Sequence, residues 1–310
     1  MKDKRIVHVV GTGTVGEPLI GLLASFRNEL GIDEVTFHKR SPLLTDRSKV
    51  LALQKKGALL AVDRETWEKF TRMGMEPAYE ALEAIDRASV VIDCTPVGNE
   101  NKECLYNRYG ENAHGFIAQG SEFGFGKMYA RGINDAALRP GEDRFIQVVS
   151  CNTHNLASLV DTIALGPEKE NSLEKGIFVC LRRANDISQE GEFLPAPEAG
   201  KHDDMRFGTH QARDAHDLFK TLGLDLNLFS TAAKINTQYM HMTYFNLHLR
   251  RQISLEEIIQ RLKSNRRVAL THKNLSSHVF SFGRDHGLFG RILNQTVVPN
   301  AEAFKEAIIQ

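Results

Sequence analysis

The chain of 310 residues is 42% hydrophobic and 25% charged, enough apolar material to bury one large core or two smaller ones. Its 39 basic residues balance its 39 acidic ones, so no overall field recruits nucleic acid or an anionic membrane, and any anion has to be held locally. No apolar run approaches the roughly 18 residues that cross a bilayer, and the opening MKDKRIVHVVG lacks the apolar stretch of a secretion signal, so the expectation is a cytoplasmic protein with no membrane partner.

The first element is RIVHVV (5–10), a β-branched apolar run that stops at GTGTVG, after which EPLIGLLASFRNELG carries apolar residues at helical spacing and closes on Gly31. Strand, tight turn and helix in this order give G-x-G-x-x-G its meaning. Gly11 permits the turn, Gly13 the approach of a pyrophosphate and Gly16 close helix packing, with the helix N-terminus facing the anion. Gly11, Thr12, Gly13, Thr14, Val15 and Gly16 are therefore the candidate phosphate cradle.

A second strand, EVTFHK, follows and ends on HKRSP. An NAD site usually ends this strand with Asp or Glu for the ribose hydroxyls. Here Lys39, Arg40 and Ser41 stand in that place, and cations with a hydroxyl suit a 2′-phosphate. NADP is the expected cofactor, with NAD possible. SVVIDCTP, GFIAQG and RFIQVVS repeat the strand theme with helical or irregular stretches between them, which predicts a doubly wound parallel α/β sheet over residues 1–150. Thr95 and Pro96, with Gln119 and Gly120, end two of these strands and complete the candidate cofactor site.

The pattern changes at VVSCNTHNLASLV (148–160), where an apolar run ends abruptly and resumes with helical spacing. Cys151 thus falls at the carboxyl end of a strand and the amino end of a helix, with Ser150 as the N-cap, a position whose unpaired amides and dipole favour thiolate. The other cysteines, Cys94, Cys104 and Cys180, are scattered, with no C-x-x-C pair or metal spacing. They read as reduced thiols, and no metal site is expected. Beyond, GIFVCLRRAND, LNLFSTAAKI and QYMHMTYFNLHL are longer strand-like runs, predicting a mixed or antiparallel sheet with helices on one face over 151–299. PEKENS (167–172) and SQEGEFLPAPEAGKHDDMRFG (188–208) read as polar loops, and NAEAFKEAIIQ (300–310) as a short amphipathic helix. Twelve histidines offer twelve candidate bases, none singled out by spacing alone.

SCNTHNLASLVDTI, IDCTPVGNENKECLY, IAQGSEF, LRRAND, YMHMTYF and NQTVVPNAEAF come in the order and approximate spacing of the archaeal-type (type II) phosphorylating glyceraldehyde-3-phosphate dehydrogenases, and the chain resembles that family through most of its length. The resemblance implies an N-terminal Rossmann domain, a C-terminal catalytic α+β domain, a final helix 300–310 that packs back on the first domain, NADP or NAD as cofactor, and a homo-oligomer, tetramer or dimer. It implies Cys151 as nucleophile, His241 as catalytic base, and Asn152 as a donor to the developing oxyanion. Thr153, His210 and at least one of Arg182 and Arg183 are implied as binders of the substrate or its phosphate, for which guanidinium forks are suited. The chain departs from the family where Cys-Asn-Thr continues with His154 and Asn155, where Gln211 replaces the neighbour of His210, and in a shorter segment before NQTVVPN.

The implied reaction takes an aldehyde and inorganic phosphate to an acyl phosphate through a cysteine thioester, and runs in reverse with the same residues. An acyl-phosphate reductase or semialdehyde dehydrogenase of another pathway shares the plan, and a non-enzymatic NADP-binding redox sensor would oxidise Cys151 rather than acylate it. A purely structural subunit would leave the cysteine and the basic strand end without purpose.

Overall fold

The computed structural model describes residues 4–109, 113–120, 122–185, 191 and 193–299; the helix expected over 300–310 lies outside them. The chain divides into two compact units, residues 1–127 with 139–148, and residues 128–138 with 149–310.

The first unit runs β1 (Ile6–Val10), α1 (Gly16–Ser25), β2 (Glu34–His38), α2 (Arg47–Lys55), β3 (Leu59–Val62), α3 (Trp67–Arg72), β4 (Tyr79–Glu80), α4 (Ala81–Arg87), β5 (Val90–Asp93), α5 (Gly98–Asn101) and β6 (Gly115–Gly120), with β7 (Lys127–Tyr129) and β8 (Phe145–Val149) at the change of unit. The sheet order is β4-β3-β2-β1-β5-β6-β8-β7, and the pairings from β4 through β6 are parallel. Strand order reverses direction at β1, so the crevice at the carboxyl ends of β1 and β5 is the place where a doubly wound sheet takes a ligand. Because both faces are covered, β1 is buried without alternation, its central His8 included. Val9 joins a core with Val35, Phe37, Leu60 and Phe70, while its neighbour Val10 joins another with Val91, Tyr106 and Phe116.

The second unit contains α6 (Cys151–Leu159), continued by a π-helical turn through Leu165, then β9 (Leu173–Arg183), β10 (Glu198–Ala199), α7 (His210–Lys220), β11 (Leu228–Ile235), β12 (Met242–Leu249), α8 (Leu255–Ser264), β13 (Val268–Thr271), α9 (Ser276–His286) and β14 (Thr296–Pro299). Its sheet, β10-β11-β9-β12, is mixed: β11 is parallel to β9, whereas β12 and β10 run antiparallel to their neighbours. Along β12 even-numbered residues are exposed and odd-numbered ones half-buried, the period of a strand with one covered face. Leu156, Leu159 and Val160 pack with Ala212, Ala215 and Phe219 over Phe178, Cys180 and Leu228, so α6 and α7 cover that face. Among the described residues no helix is long and apolar enough to cross a membrane.

Candidate functional site

In the first unit the glycine-rich turn packs against the end of β5. Gly11 is at φ +94°, reachable cheaply only without a Cβ, and a Cβ there would meet Thr95 Cγ2 at 3.1 Å. A Cβ on Gly16 would stand 2.0 Å from the Gly11 carbonyl oxygen, whereas one on Gly13 would meet nothing within 4 Å. Gly13 therefore borders open space, and no side chain caps α1, whose cap position is Val15. An open backbone cradle before an uncapped helix N-terminus fits a dinucleotide pyrophosphate. Thr12 and Thr14 complete the turn, and Thr12 O accepts a bond from Lys49 Nζ at 3.4 Å.

Thr95 is held from below by Asp93, which is 1% exposed. Its Oδ1 accepts from the Thr95 backbone N–H (2.8 Å) and hydroxyl (2.6 Å), and its Oδ2 from Asn101 Nδ2 (2.8 Å) and the Tyr106 hydroxyl (2.6 Å). Burial first, and the Asp93 carboxylate second, push Tyr106 well above the ordinary phenol range and Cys94 up to about 12. Cys94 is thus an inert thiol. Pro96 is exposed beside Thr95. Gln119 and Gly120 end β6, and Gly120 O accepts from Gln147 Nε2 at 3.4 Å.

At the end of β2 the structure gives Lys39 a partner that its sequence position did not suggest. The strand stops at His38; Arg40 and Ser41 are exposed, but Lys39 is buried and its Nζ lies 2.5 Å from Asp46 Oδ2. Its charge already has a partner.

In the second unit, Ser150 caps α6 by accepting from the Thr153 N–H at 3.3 Å, and the two hydroxyls lie 2.9 Å apart. Cys151 is exposed at the first helical position, where the first-turn amides and the dipole favour a thiolate. Thr153 itself is fully buried, its hydroxyl turned to the Ser150 cap. Asn152 is 5% exposed and its Oδ1 has no hydrogen-bond partner.

His154 and Asn155, which depart from the family, both have structural bonds. His154 Nδ1 sits 2.9 Å from Val149 O, and burial holds its pKa below the ordinary value. Asn155 Nδ2 donates to Thr243 Oγ1 (3.2 Å), and its Oδ1 accepts from Thr296 Oγ1 (2.9 Å). Cys151 precedes Asn155 by one helical turn, about 6 Å, and His241 precedes Thr243 by two strand residues, about 7 Å. Leu159, Ile163, Phe245 and Leu247 share the walls of one groove of about 650 Å³, and the Asn155–Thr243 bond ties α6 to β12 two residues beyond His241. That groove reaches His241 and Asn155 and continues along β12.

His241 Nδ1 accepts the Arg183 backbone N–H at 3.0 Å. This bond assigns the proton of the neutral ring to Nε2, whereas a base acting through Nε2 would need the other tautomer. The strand period separates the arginine pair. Arg182 shares its face with Phe178 and Cys180, which pack under α6 and α7, and Arg183 points to the other side. Arg182 Nε is buried without a hydrogen-bond partner.

His210 opens α7. Burial lowers its pKa, the Arg182 and Arg213 cations lower it further, and Asp214 opposes them. Asp214 is raised by burial and bonded to Arg213 at 2.9 Å. Gln211, at 1% exposure, keeps an Oε1 without a partner. Cys180 is buried and its thiol is pushed up to about 11 by that burial. Arg182 thus lies close enough to His210 to act on its charge, and the helix of Cys151 and Asn152 is tied through Asn155 to the strand that follows His241. Asp46 and Lys49 were missed in the sequence because they lie in no motif; Asp93 and Asn155 lie inside the IDCTPVGNENKECLY and SCNTHNLASLVDTI segments, where nothing marked them for these bonds.

A Rossmann-type α/β unit followed by a mixed-sheet unit that opens on a cysteine at a helix N-terminus is the two-part plan of cysteine-dependent nicotinamide dehydrogenases. No family model matches the chain. Among curated proteins it is 31% identical to a glyceraldehyde-3-phosphate dehydrogenase of Methanococcoides burtonii over 222 residues, covering 69% of this chain and 61% of that protein. It is 30% identical over 215 residues to glyceraldehyde-3-phosphate dehydrogenase 2 of Methanosarcina acetivorans, covering 68% and 59%, and 25% identical over 303 residues to the Sulfolobus acidocaldarius enzyme of the same name, covering 94% and 81%. It therefore spans less than two thirds of the Methanococcoides relative. The chain is a distant member of the archaeal glyceraldehyde-3-phosphate dehydrogenase family.

Proposed function

We propose that the chain oxidises an aldehyde, glyceraldehyde 3-phosphate or a similar phosphorylated aldehyde, and with inorganic phosphate forms the acyl phosphate through a thioester on Cys151. The observation that carries this reading is the exposed Cys151 at a capped helix N-terminus, on a helix that the Asn155–Thr243 bond ties to the strand following His241. Gly11, Gly13, Gly16 and Thr95 would hold a nicotinamide dinucleotide, NADP or NAD, which supplies the hydride acceptor.

The Cys151 thiolate adds to the carbonyl carbon, forming the C–S bond and an oxyanion directly. Because a thiolate rather than a thiol attacks, no hydroxyl proton has to be removed afterwards. The Nε2–H of His241 and the first amides of α6 suit the role of donors to that oxyanion, each such donor being worth about 3 kcal/mol in comparable sites. Loss of the carbonyl hydrogen as hydride regenerates C=O as a thioester. Phosphate oxygen then attacks the thioester carbon, the C–S bond breaks, and Cys151 leaves as thiolate. Arg182 and the His210 end of α7 supply the cationic face for the substrate phosphate.

Intact-mass measurement after incubation with NADP and glyceraldehyde 3-phosphate, without inorganic phosphate, is expected to show one acyl adduct on Cys151 that phosphate discharges, and none in Cys151→Ser. A reactive Cys151 that alkylates but forms no adduct with any aldehyde supplied would refute the reading in favour of a redox-sensing thiol.

A further inference from the structure

The charges around the end of β2 form one chain. Lys39 Nζ is 2.5 Å from Asp46 Oδ2, Asp46 Oδ1 is 3.2 Å from Lys49 Nζ, and Lys49 Nζ reaches Glu17 Oε2 at 3.6 Å and Thr12 O at 3.4 Å. Two cations and two anions cancel, and together they tie the glycine-rich turn and the first turn of α1 to the strand end. Asp46 comes from the short 3₁₀ turn Leu44–Asp46 just before α2. Burial by itself would raise Asp46, but the bonds from Lys39 and Lys49 outweigh it and hold the carboxyl below its ordinary range, so it is charged at neutral pH. Arg40 lies within the field of a second carboxylate, Asp63, which also meets His38 Nε2 at 3.1 Å.

We infer that Asp46 is the residue that sets cofactor choice: reaching Lys39 from the turn after β2, it supplies the carboxylate that the strand end lacks and tempers the preference for a 2′-phosphorylated ribose. The inference rests on the reading of the first unit as a nicotinamide dinucleotide site. A phosphate arriving beside Lys39 meets a lysine whose charge is already neutralised, and a carboxylate that repels it. An unphosphorylated ribose meets no such repulsion. The strand end is basic in sequence but close to neutral in the fold, which predicts that wild-type protein takes both cofactors.

The test is binding, read by nicotinamide fluorescence of NADPH and NADH with the full-length chain, independent of turnover. Asp46→Asn keeps the size and removes the charge. It is expected to tighten NADPH roughly tenfold, the effect of one charge a few ångströms away at intermediate dielectric, and to leave NADH within about twofold. Lys39→Met leaves Asp46 without its nearest cation and should move the ratio the other way, weakening NADPH against NADH. Fluorescence of Trp67, the single tryptophan and part of the first unit, reports whether each variant is folded. If wild type binds both cofactors and neither variant moves their ratio, or both variants move it in the same direction, the inference falls and the dinucleotide reading stands. If folded wild type binds neither cofactor, the dinucleotide reading falls and takes the inference with it.

Discussion

His8, in the centre of β1, gives the first unit a built-in sensitivity to acid. The side chain is fully buried, its Nδ1 lies 2.7 Å from Thr36 Oγ1 on the neighbouring strand, and its Nε2 has no partner. Burial, with a smaller contribution from the His38 charge, lowers its pKa from 6.5 to about 3. Since the folded value is depressed, the unfolded chain takes up the proton first. The stability due to neutral His8 is full above 6.5 and declines as pH falls from 6.5 towards about 3. Each pH unit within that window costs about 1.4 kcal/mol, so going from about pH 7.5 to about pH 5 removes about 2 kcal/mol through this one residue. Urea unfolding followed by Trp67 fluorescence isolates the unit concerned, because Trp67 packs against the Val9–Phe37 core. His8→Leu loses the titration and strands the Thr36 hydroxyl, a cost that does not depend on pH. The variant should therefore lose about 2 kcal/mol less than wild type between the two pH values, other carboxylates cancelling in the difference. Parallel pH profiles for the two proteins would refute the assignment of a buried neutral imidazole.

Two further predictions use contrasts within a motif or pair. Gly13→Ala should leave urea stability within about 0.5 kcal/mol while weakening dinucleotide binding, whereas Gly16→Ala, with its Cβ 2.0 Å from the Gly11 oxygen, should destabilise the first unit by about 1 to 3 kcal/mol; equal unfolding midpoints for the two variants would contradict the packing described. Arg182→Ala should raise KM for the phosphorylated aldehyde roughly tenfold or more relative to an unphosphorylated analogue. Arg183→Ala should do so little, because its bond to His241 is made by the backbone; steady-state kinetics showing the reverse order would overturn the assignment of faces.

The first strand, turn and helix were legible because a β-branched run, three glycines at fixed offsets and a 3.6-residue period agree with one another over a short stretch. The Ser150–Cys151 junction was legible for a similar local reason: a cap residue stands between two periods. What escaped depended on contacts across sequence distance. Lys39 looks available until a carboxylate seven residues later folds back on it, and a 3₁₀ turn of three residues leaves no periodic trace. Arg182 and Arg183 look equivalent until packing fixes the phase of β9, since adjacent strand residues face opposite ways. Thr153 sits in the most distinctive motif of the chain, yet its hydroxyl is consumed by the cap. His241 was singled out through resemblance alone, and the tautomer it adopts depends on a backbone N–H that belongs to another strand.

Asn155 joins three stretches that leave the ribosome at very different times, α6, β12 and β14, through bonds spanning 88 and 141 residues. During synthesis the helix bearing Cys151 emerges early and its apolar face finds α7 long before Thr296 exists. Such long-range contacts form late in folding. The last of these bonds therefore waits for Thr296, so a nascent chain arrested short of it would carry Asn155 with its Thr243 bond but with its Oδ1 still unsatisfied, and the sulfur-bearing helix would lack its tie to the closing strand.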